Sequence, residues 1–340
     1  MAGEQYKSIQ MTKLLNGPSN SITDIDGFLV GNAHNDKLKS GVTVLTRSTS
    51  FRASVSILGG APGTKETDLL SPDKIVDNID GIVLAGGSAF GLDASSGVMD
   101  CLKNQNRGFD TGSIKVPIVP SAILFDLKNG GFKDWKINPY RDLGQNAFLN
   151  VSETVEIGSV GAGCGATTSV VKGGLGTNSI FYGDRIKVGA IVAVNSVGSP
   201  FFPGTNLLYS DFYGDKRYHI ERPPMNALIN PTKLLTGEAT TLGIVCTNLN
   251  FNKNDLYRIA TSAHTGIARA IEPSHTPFDG DIIFSATSGA EPIVSKDQDL
   301  MLVCQLSALC VTQAVGSAIK AASKKKGDQL SCWADLILDQ

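Results

Sequence analysis

The sequence lacks the features that mark membrane-spanning, secreted or nucleic-acid-binding proteins. We find no apolar run of the roughly 18 residues that span a bilayer, and the first 17 residues contain no apolar signal-peptide core. The 30 Lys and Arg against 32 Asp and Glu give a net charge of −2, which provides no electrostatic basis for binding nucleic acid or an anionic membrane. We therefore expect a cytoplasmic globular protein.

Cysteines and aromatic residues are also sparse. The six cysteines form neither a Cys-x-x-Cys pair nor a zinc-ligand spacing with histidine, so we expect reduced core thiols and no metal site. Aromatic residues make up only 7% of the chain, whereas 37 glycines indicate tight turns and close backbone packing. Nothing in the sequence implies an organic cofactor.

What the sequence does contain is a series of short Val- and Ile-rich segments followed by long helical ones. The predicted strands are 26–33, 41–46, 53–58, 81–86, 186–196, 240–248 and 281–289, with glycine-broken strands over 154–163 and 166–174. The predicted helices are 72–79, 89–104, 252–271 and 297–323. Grouped strands followed by long helices predict a layered α+β sandwich.

Residues 200–238 show no hydrophobic periodicity and contain five prolines. A segment of this length without secondary structure is uncommon inside a compact domain and is usually functional or disordered. It leads directly into a predicted strand that begins with Thr240. We therefore predict a mobile loop over 200–239.

Two glycine-rich motifs each allow a functional and a structural interpretation. Residues 161–166 fit the G-x-G-x-x-A pattern of a dinucleotide site, but the β-branched residues that follow favour a turn between strands over a helix. Residues 86–91 lie between a strand and a helix, like a nucleophile elbow, but read G-x-S-x-F. A glycine-rich turn lining a cleft is the favoured interpretation there.

Two further motifs carry candidate catalytic groups. Asp279 and Asp281 flank Gly280, so their carboxylates can converge on one site when the chain is extended, although a solvated turn has the same pattern. Cleavage before Thr240 would create a hydroxyl nucleophile with its own α-amine as base, because an α-amine has a pKa near 7.7 that burial lowers further. Taken alone, Thr240 is also an ordinary strand residue.

Six long blocks together make the functional interpretation the stronger one. They are GGAPGTKETDLL (59–70), VLAGGSAFGLDA (83–94), VGAGCGATTSVVKGGLG (160–176), VGAIVAVNSVGSP (188–200), TTLGIVCTN (240–248) and PFDGDIIFSATSG (277–289). In these blocks the chain resembles the DmpA-type self-cleaving peptidases from Asn20 to about residue 322. That family includes D-aminopeptidase/esterases, β-peptidyl aminopeptidases and nylon-oligomer (6-aminohexanoate oligomer) hydrolases, and the first block and the Asp-Gly-Asp pair look most like the last branch.

The resemblance implies a four-layer αββα sandwich of the N-terminal-nucleophile type, as one domain over 1–340. It implies self-cleavage between Ala239 and Thr240 into an α chain, 1–239, and a β chain, 240–340, with Thr240 as the nucleophile. It further implies that Asp279 and Asp281 orient the nucleophile, that Asn195 forms the oxyanion hole and that Lys172 lies near the nucleophile. A homotetramer of α/β units acting on small peptides, amides or polyamide oligomers is implied as well.

Two positions depart from the family pattern. Ala239 stands where relatives have Asn or Gly, although ornithine acetyltransferases cleave an Ala-Thr bond on a similar fold. Phe125 stands where some relatives have an active-site Tyr, and it cannot donate a hydrogen bond. Two other functions stay open: acyl transfer to an amine such as ornithine, which an added acceptor would reveal, and an unprocessed binding scaffold, which an intact Ala239–Thr240 bond would reveal.

Overall fold

The computed structural model describes residues 14–214 and 239–338, in which we find twelve strands and five α-helices. The strands are β1 (Leu14–Asn16), β2 (Leu29–Asn35), β3 (Ser40–Ile57), β4 (Thr64–Lys65), β5 (Asn78–Ala85), β6 (Phe109–Asp110), β7 (Lys115–Val116), β8 (Ser121–Ile123), β9 (Gly174–Tyr182), β10 (Ile186–Asn195), β11 (Thr240–Leu249) and β12 (Ile282–Glu291). The helices are α1 (Ala94–Asn104), α2 (Tyr140–Leu149), α3 (Lys253–Ala270), α4 (Lys296–Ala321) and α5 (Trp333–Leu338). Most of the predicted 200–239 loop lies outside the described residues, and its described part contains a 3-10 helix, Tyr209–Tyr213.

Ten strands form one hydrogen-bonded sheet in which β3 belongs to two halves. The order is β1-β9-β10-β11-β12-β3-β5-β8-β4, and β2 also pairs with β3. Residues 52–57 of β3 pair with β12, whereas residues 40–46 pair with β2. The pairing of β3 with β5 shifts register between Thr46 and Phe51, where the strand passes from one half of the sheet to the other.

Three hydrophobic cores show that the two halves face each other between helices. In the central core, side chains of β5 such as Ile82 pack with side chains of β10–β12 such as Ile191 and Phe284. A second core joins β9–β11 to α3 and α4, and a third joins β2, β3 and β5 to α1 and α2. Because side chains alternate along a strand, Ile191 points into the central core while its neighbour Val192 points toward the helices. The layers are therefore α, β, β and α, as predicted.

Helix α4 is long and apolar enough to cross a membrane by length and composition, which corrects our statement that no such run exists. In this fold it is a core helix, and 67% of its most apolar window is buried inside the protein. Its buried residues, such as Val311 and Val315, pack in the core shared with β9 and β10. Its apolar character is therefore explained by the layered fold.

Several predicted elements are wrong in type or extent. Segments 41–46 and 53–58 belong to one strand, β3, because the polar residues between them continue the strand in an exposed position. The predicted helix 72–79 is absent, and β5 already begins at Asn78. The Lys253 ammonium donates to the carbonyls of Leu69, Lys74 and Val76 at 2.7, 3.0 and 2.7 Å, so the last two are not used by a helix.

The glycine-broken segments 154–163 and 166–174 are not regular strands. They form only isolated bridges, Gly158 with Leu175 and Thr167 with Lys172, and a short 3-10 helix over Gly161–Gly163. A Cβ at Gly161, which has a φ of +51°, would lie 2.2 Å from Asn32 Oδ1. These glycines therefore serve turns and close backbone approach, and the strand of this region is β9.

Candidate functional site

Strand ends meet at one edge of the sheet and bring four of the predicted site residues together. Strands β11 and β12 are parallel, so Thr240 at the start of β11 lies beside the turn that carries Asp279 and Asp281. Strand β10 is antiparallel to β11, and its last residue, Asn195, pairs with Thr240. Strand β3 ends at Ile57 on the other side of β12. The sheet topology thus gathers residues that are distant in sequence.

The Thr240 hydroxyl lies against the peptide bond that precedes it. Thr240 is only 4% exposed, and its Oγ1 donates to Ala239 O at 2.6 Å. The backbone N–H of Gly280 donates to the same carbonyl oxygen at 2.9 Å. A hydroxyl beside a carbonyl that an amide N–H polarises is suited to intramolecular nucleophilic attack. No motif in the sequence indicates that Gly280 is this donor.

Gly280 also leaves the space that the Thr240 side chain occupies. A Cβ at residue 280 would lie 2.6 Å from Thr240 Oγ1, 3.3 Å from Thr240 Cγ2 and 2.8 Å from Ala61 O. Real Cβ atoms do not approach other atoms to less than 3.0 Å. A glycine between the two aspartates is therefore required by the position of the hydroxyl.

Asp281 ties the start of β11 to a histidine. Its Oδ1 accepts a hydrogen bond from Thr241 N at 2.7 Å, and its Oδ2 accepts from His275 N at 3.0 Å and pairs with His275 Nδ1 at 2.8 Å. Burial lowers the pKa of His275, but the hydrogen bond and the charge of Asp281 outweigh burial and leave this pKa raised. Asp281 therefore holds the residue after Thr240. That it orients the nucleophile, as the resemblance implies, stays a prediction. The sequence shows His275 near the aspartates without showing that it contacts one.

Asp279 holds the chain on the other side of the turn. Its Oδ1 accepts from Val197 N at 3.2 Å, and its Oδ2 accepts from Thr276 N and Thr276 Oγ1 at 2.9 and 2.7 Å. Burial, followed by the charge of Asp281, raises the pKa of Asp279. A carboxyl group with a raised pKa is better suited to exchange a proton near neutral pH.

The oxygens of the two carboxylates therefore accept hydrogen bonds from protein donors. Among residues 14–214 and 239–338, no group of three or more His, Cys, Asp and Glu side chains is arranged to hold a metal ion. The aspartates are placed to orient the backbone around Thr240.

The glycine-rich segment after β3 encloses this turn. Gly59 N donates to Asp281 O at 3.2 Å, Gly60 N to Thr276 O at 3.2 Å and Ala61 N to Asp279 O at 2.9 Å. A Cβ at Gly59 would lie 2.2 Å from Asp281 N, so only glycine allows this approach. The block 59–70 thus contributes backbone support to the site.

Asn195 connects three segments beside Thr240. Its Oδ1 accepts from Thr167 N at 3.0 Å, and its Nδ2 donates to Phe125 O at 3.0 Å. Phe125 therefore lies beside the residue predicted for the oxyanion hole and contributes its backbone carbonyl. The side-chain amide of Asn195 is held in a fixed orientation next to the nucleophile strand.

Lys172 belongs to a buried ion cluster behind this region. Its Nζ donates to Asp328 Oδ2 at 2.6 Å and to Cys164 O at 3.2 Å, and the other oxygen of Asp328 pairs with Lys39. Burial has the largest single effect on the pKa of Asp328 and raises it. The two ammonium groups and a backbone hydrogen bond together outweigh burial, so this pKa is lowered. The contacts of Lys172 are thus with the C-terminal segment, and its predicted position near the nucleophile stays a prediction.

The two other glycine motifs are turns. Residues 161–166 open a 3-10 helix of three residues and no α-helix, so the pyrophosphate-binding geometry is absent from this motif. Gly87 has a φ of +83° at the turn into the 3-10 helix Ser88–Asp93, and its N–H donates to Asp126 Oδ1 at 2.8 Å. A Cβ at Gly87 would lie 2.1 Å from the Tyr140 ring. These contacts explain why the turn requires glycine at position 87.

Similar proteins of known sequence are peptidases and amide hydrolases by name. The chain is 38% identical over 289 residues to an uncharacterized aminopeptidase of Mycobacterium tuberculosis (strain ATCC 25618 / H37Rv), with 80% of this chain and 82% of that protein covered. It is 27% identical over 277 residues to the 6-aminohexanoate-oligomer endohydrolase of Kocuria sp. (strain KY2), with 78% and 74% covered.

Solved structures share the fold. The β-aminopeptidase of Burkholderia sp. matches with a TM-score of 0.72 at 18% identity and covers 96% of this chain and 95% of its own. The L-aminopeptidase D-Ala-esterase/amidase of Ochrobactrum anthropi, described as a variant of the Ntn hydrolase fold, matches with a TM-score of 0.70 at 21% identity, with 96% and 95% covered.

The family assignment covers nearly the whole chain. The sequence model of peptidase family S58 matches residues 20–331. This range includes Thr240, Asp279 and Asp281. The fold, the 38% identity and this match agree with the resemblance found in the sequence. The chain belongs to peptidase family S58.

Proposed function

We propose that this chain is an amide hydrolase that activates itself by cleaving the Ala239–Thr240 bond and then uses Thr240 as an N-terminal nucleophile. The observation that carries the proposal is the pair of donors on one carbonyl: Thr240 Oγ1 at 2.6 Å and Gly280 N at 2.9 Å from Ala239 O. Membership of peptidase family S58 supports hydrolysis of amide bonds. Cleavage would give chains 1–239 and 240–340.

Self-cleavage proceeds in two steps. Thr240 Oγ1 attacks the carbonyl carbon of Ala239, the C–N bond breaks, and the hydroxyl proton passes to the departing nitrogen, which leaves a free α-amine on Thr240 and an ester between Ala239 and the Thr240 side chain. Water then hydrolyses the ester and frees the Thr240 hydroxyl and the Ala239 carboxylate. The Gly280 N–H stabilises the negative charge that develops on Ala239 O during the attack.

In the mature enzyme the same groups act on a substrate. The α-amine of Thr240, with a reference pKa near 7.7, takes the hydroxyl proton directly or through water. The substrate carbonyl oxygen takes the place of Ala239 O at the Gly280 N–H, and the Asn195 amide is the second candidate donor. An acyl-Thr240 ester forms, the amine product leaves, and water releases the acid.

The two aspartates have separate roles in this proposal. Asp281 fixes the Thr241 amide and so sets the direction of the Thr240 backbone. Asp279, whose pKa burial raises, lies on the turn that carries the Gly280 donor and exchanges protons during cleavage. Lys172 acts from the buried cluster with Asp328 by holding the segment that supports Asn195.

The substrate class that we propose is small peptides and amides. Identity is 38% to a protein named an aminopeptidase and 27% to one named a 6-aminohexanoate-oligomer endohydrolase, so the first activity is favoured. Comparing hydrolysis of Ala-p-nitroanilide with that of a 6-aminohexanoate oligomer separates the two. We also propose a homotetramer of α/β units, which light scattering tests.

The nucleophile is tested by substitution of Thr240. We expect Thr240→Ala to abolish both processing and hydrolysis, whereas Thr240→Ser retains both because it keeps the hydroxyl. Processing is followed by mass and hydrolysis by release of p-nitroaniline. An uncleaved Thr240→Ala protein that hydrolyses amides at the wild-type rate would rule out this assignment.

A further inference from the structure

His275 is held by acceptors at both ring nitrogens. Its Nδ1 lies 2.8 Å from Asp281 Oδ2, and its Nε2 lies 3.3 Å from the backbone carbonyl oxygen of His264. A carbonyl oxygen and a carboxylate oxygen carry no hydrogen, so each ring nitrogen must donate. Both nitrogens donate only in the imidazolium form. The geometry therefore indicates a cationic His275 beside the Asp281 side chain.

The backbone of His275 is specialised as well. Its φ is +55°, in the left-handed region that residues other than glycine rarely adopt. Its backbone N–H donates to the same Oδ2 atom of Asp281 at 3.0 Å. Residues held in uncommon backbone conformations cluster at functional sites. The chain thus directs two donors of one residue at one carboxylate oxygen.

Within residues 14–214 and 239–338, the titratable groups that face His275 are two aspartates and one histidine. Asp281 and Asp279 lie on the turn before β12, and both raise its pKa. The ring of His264 on α3 lies 4.9 Å away between centroids, and its Nε2 faces Ser56 O at 3.0 Å. Burial lowers the pKa of His264 to about 4, so His264 is neutral above pH 6. His275 is therefore the cation that faces the two buried aspartates.

We propose that protonated His275 is a positioning residue for self-cleavage: it fixes the orientation of the Asp281 side chain so that Oδ1 holds the Thr241 amide and with it the Thr240 hydroxyl. This inference rests on the proposed function. His275 Nδ1 lies 2.8 Å from Asp281 Oδ2. The other oxygen, Asp281 Oδ1, accepts a hydrogen bond from Thr241 N at 2.7 Å. Loss of the proton removes one of the two ring donors and leaves two buried carboxylates without their cation. The protonated form is the one that processes.

Self-cleavage allows a clean test because the Thr240 α-amine does not yet exist in the uncleaved chain. The full chain is made by cell-free translation, and its cleavage rate is followed by gel from pH 5.5 to 9. We expect the wild-type rate to decline above pH 6.5, approaching a tenfold loss per pH unit. In His275→Asn, which carries no positive charge, we expect a slower rate that no longer declines over this pH range. Asn accepts the left-handed backbone and donates to Asp281, but it does not titrate.

His264→Gln is the matched control. The glutamine side chain can donate a hydrogen bond to Ser56 O as His264 Nε2 does. The backbone carbonyl of residue 264, which faces His275 Nε2, is unchanged. We expect His264→Gln to keep the decline. The same decline in His275→Asn as in the wild type would overturn this inference while leaving the proposed function intact. Absence of wild-type cleavage at every pH would instead overturn the proposed function, and the inference with it.

A second readout does not depend on cleavage. In the uncleaved Thr240→Ala chain, the NMR shift of the His275 ring should titrate above pH 6.5, and Asp281→Asn should move this titration to lower pH. Titration of His275 at or below pH 6.5, or no change in Asp281→Asn, would contradict the ion pair on which the inference rests.

Discussion

Replacing Gly280 by alanine tests the geometry around the Thr240 hydroxyl. The added Cβ would lie 2.6 Å from Thr240 Oγ1, about 0.8 Å less than the 3.4 Å at which ordinary contact begins. Ala61 O at 2.8 Å prevents the turn from retreating in that direction, so the hydroxyl must move. A displacement of about 1 Å in a reacting group costs about 100-fold in rate, or about 2.7 kcal/mol of barrier. We therefore expect Gly280→Ala to slow self-cleavage about 100-fold.

The assay is a time course of cleavage of freshly translated chain, read by gel and by mass. Gly243→Ala is the matched control on β11, because its Cβ would meet Ile283 Cγ1 at 3.2 Å, which a shift of a few tenths of an ångström relieves, and Ile282 O at 3.9 Å. We expect Gly243→Ala to cleave at close to the wild-type rate. Cleavage of Gly280→Ala at the wild-type rate, in a chain with unchanged circular dichroism, would show that the space at Gly280 does not determine the position of the Thr240 hydroxyl.

Two further predictions concern stability and are measured by urea unfolding in the single-chain Thr240→Ala background. Burial lowers the pKa of His264 from 6.5 to about 4, so as pH falls through this window the unfolded chain gains a proton that the folded chain does not. The free energy of unfolding should therefore fall by about 3 kcal/mol between pH 6.5 and 4. The same fall in a His264→Gln variant would show that protonation of His264 does not cause it. Lys172→Met removes one of two ammonium groups from buried Asp328 and should cost about 3 kcal/mol at pH 7, and a loss below about 1 kcal/mol would argue against the ion cluster.

The sequence predicted the elements that have a strong hydrophobic period. Strands β11 and β12 and helices α3 and α4 lie where predicted to within a few residues. The prediction failed where a distant side chain decides the local structure. Lys253 takes the carbonyls of the segment predicted as helix 72–79, and no local pattern shows that. The Val and Ile content of the glycine-rich segments after residue 154 predicts strands, whereas their glycines serve turns.

The candidate site residues are predicted by resemblance to a family, whereas the groups that they contact are determined by the fold. Thr240, Asn195, Asp279 and Asp281 meet because two parallel strands and one antiparallel strand end at the same edge. Backbone donors such as Gly280 N leave no trace in side-chain chemistry, so the sequence did not reveal them. The position of cleavage and the roles of the side chains stay predictions.

The intact mass of the purified wild-type protein under denaturing conditions shows whether the Ala239–Thr240 bond is cleaved. Self-cleavage predicts two species, one ending at Ala239 and one beginning at Thr240. Their masses identify the cleaved bond and thereby the nucleophile. A single full-length mass after prolonged incubation would contradict the account and favour an unprocessed binding scaffold.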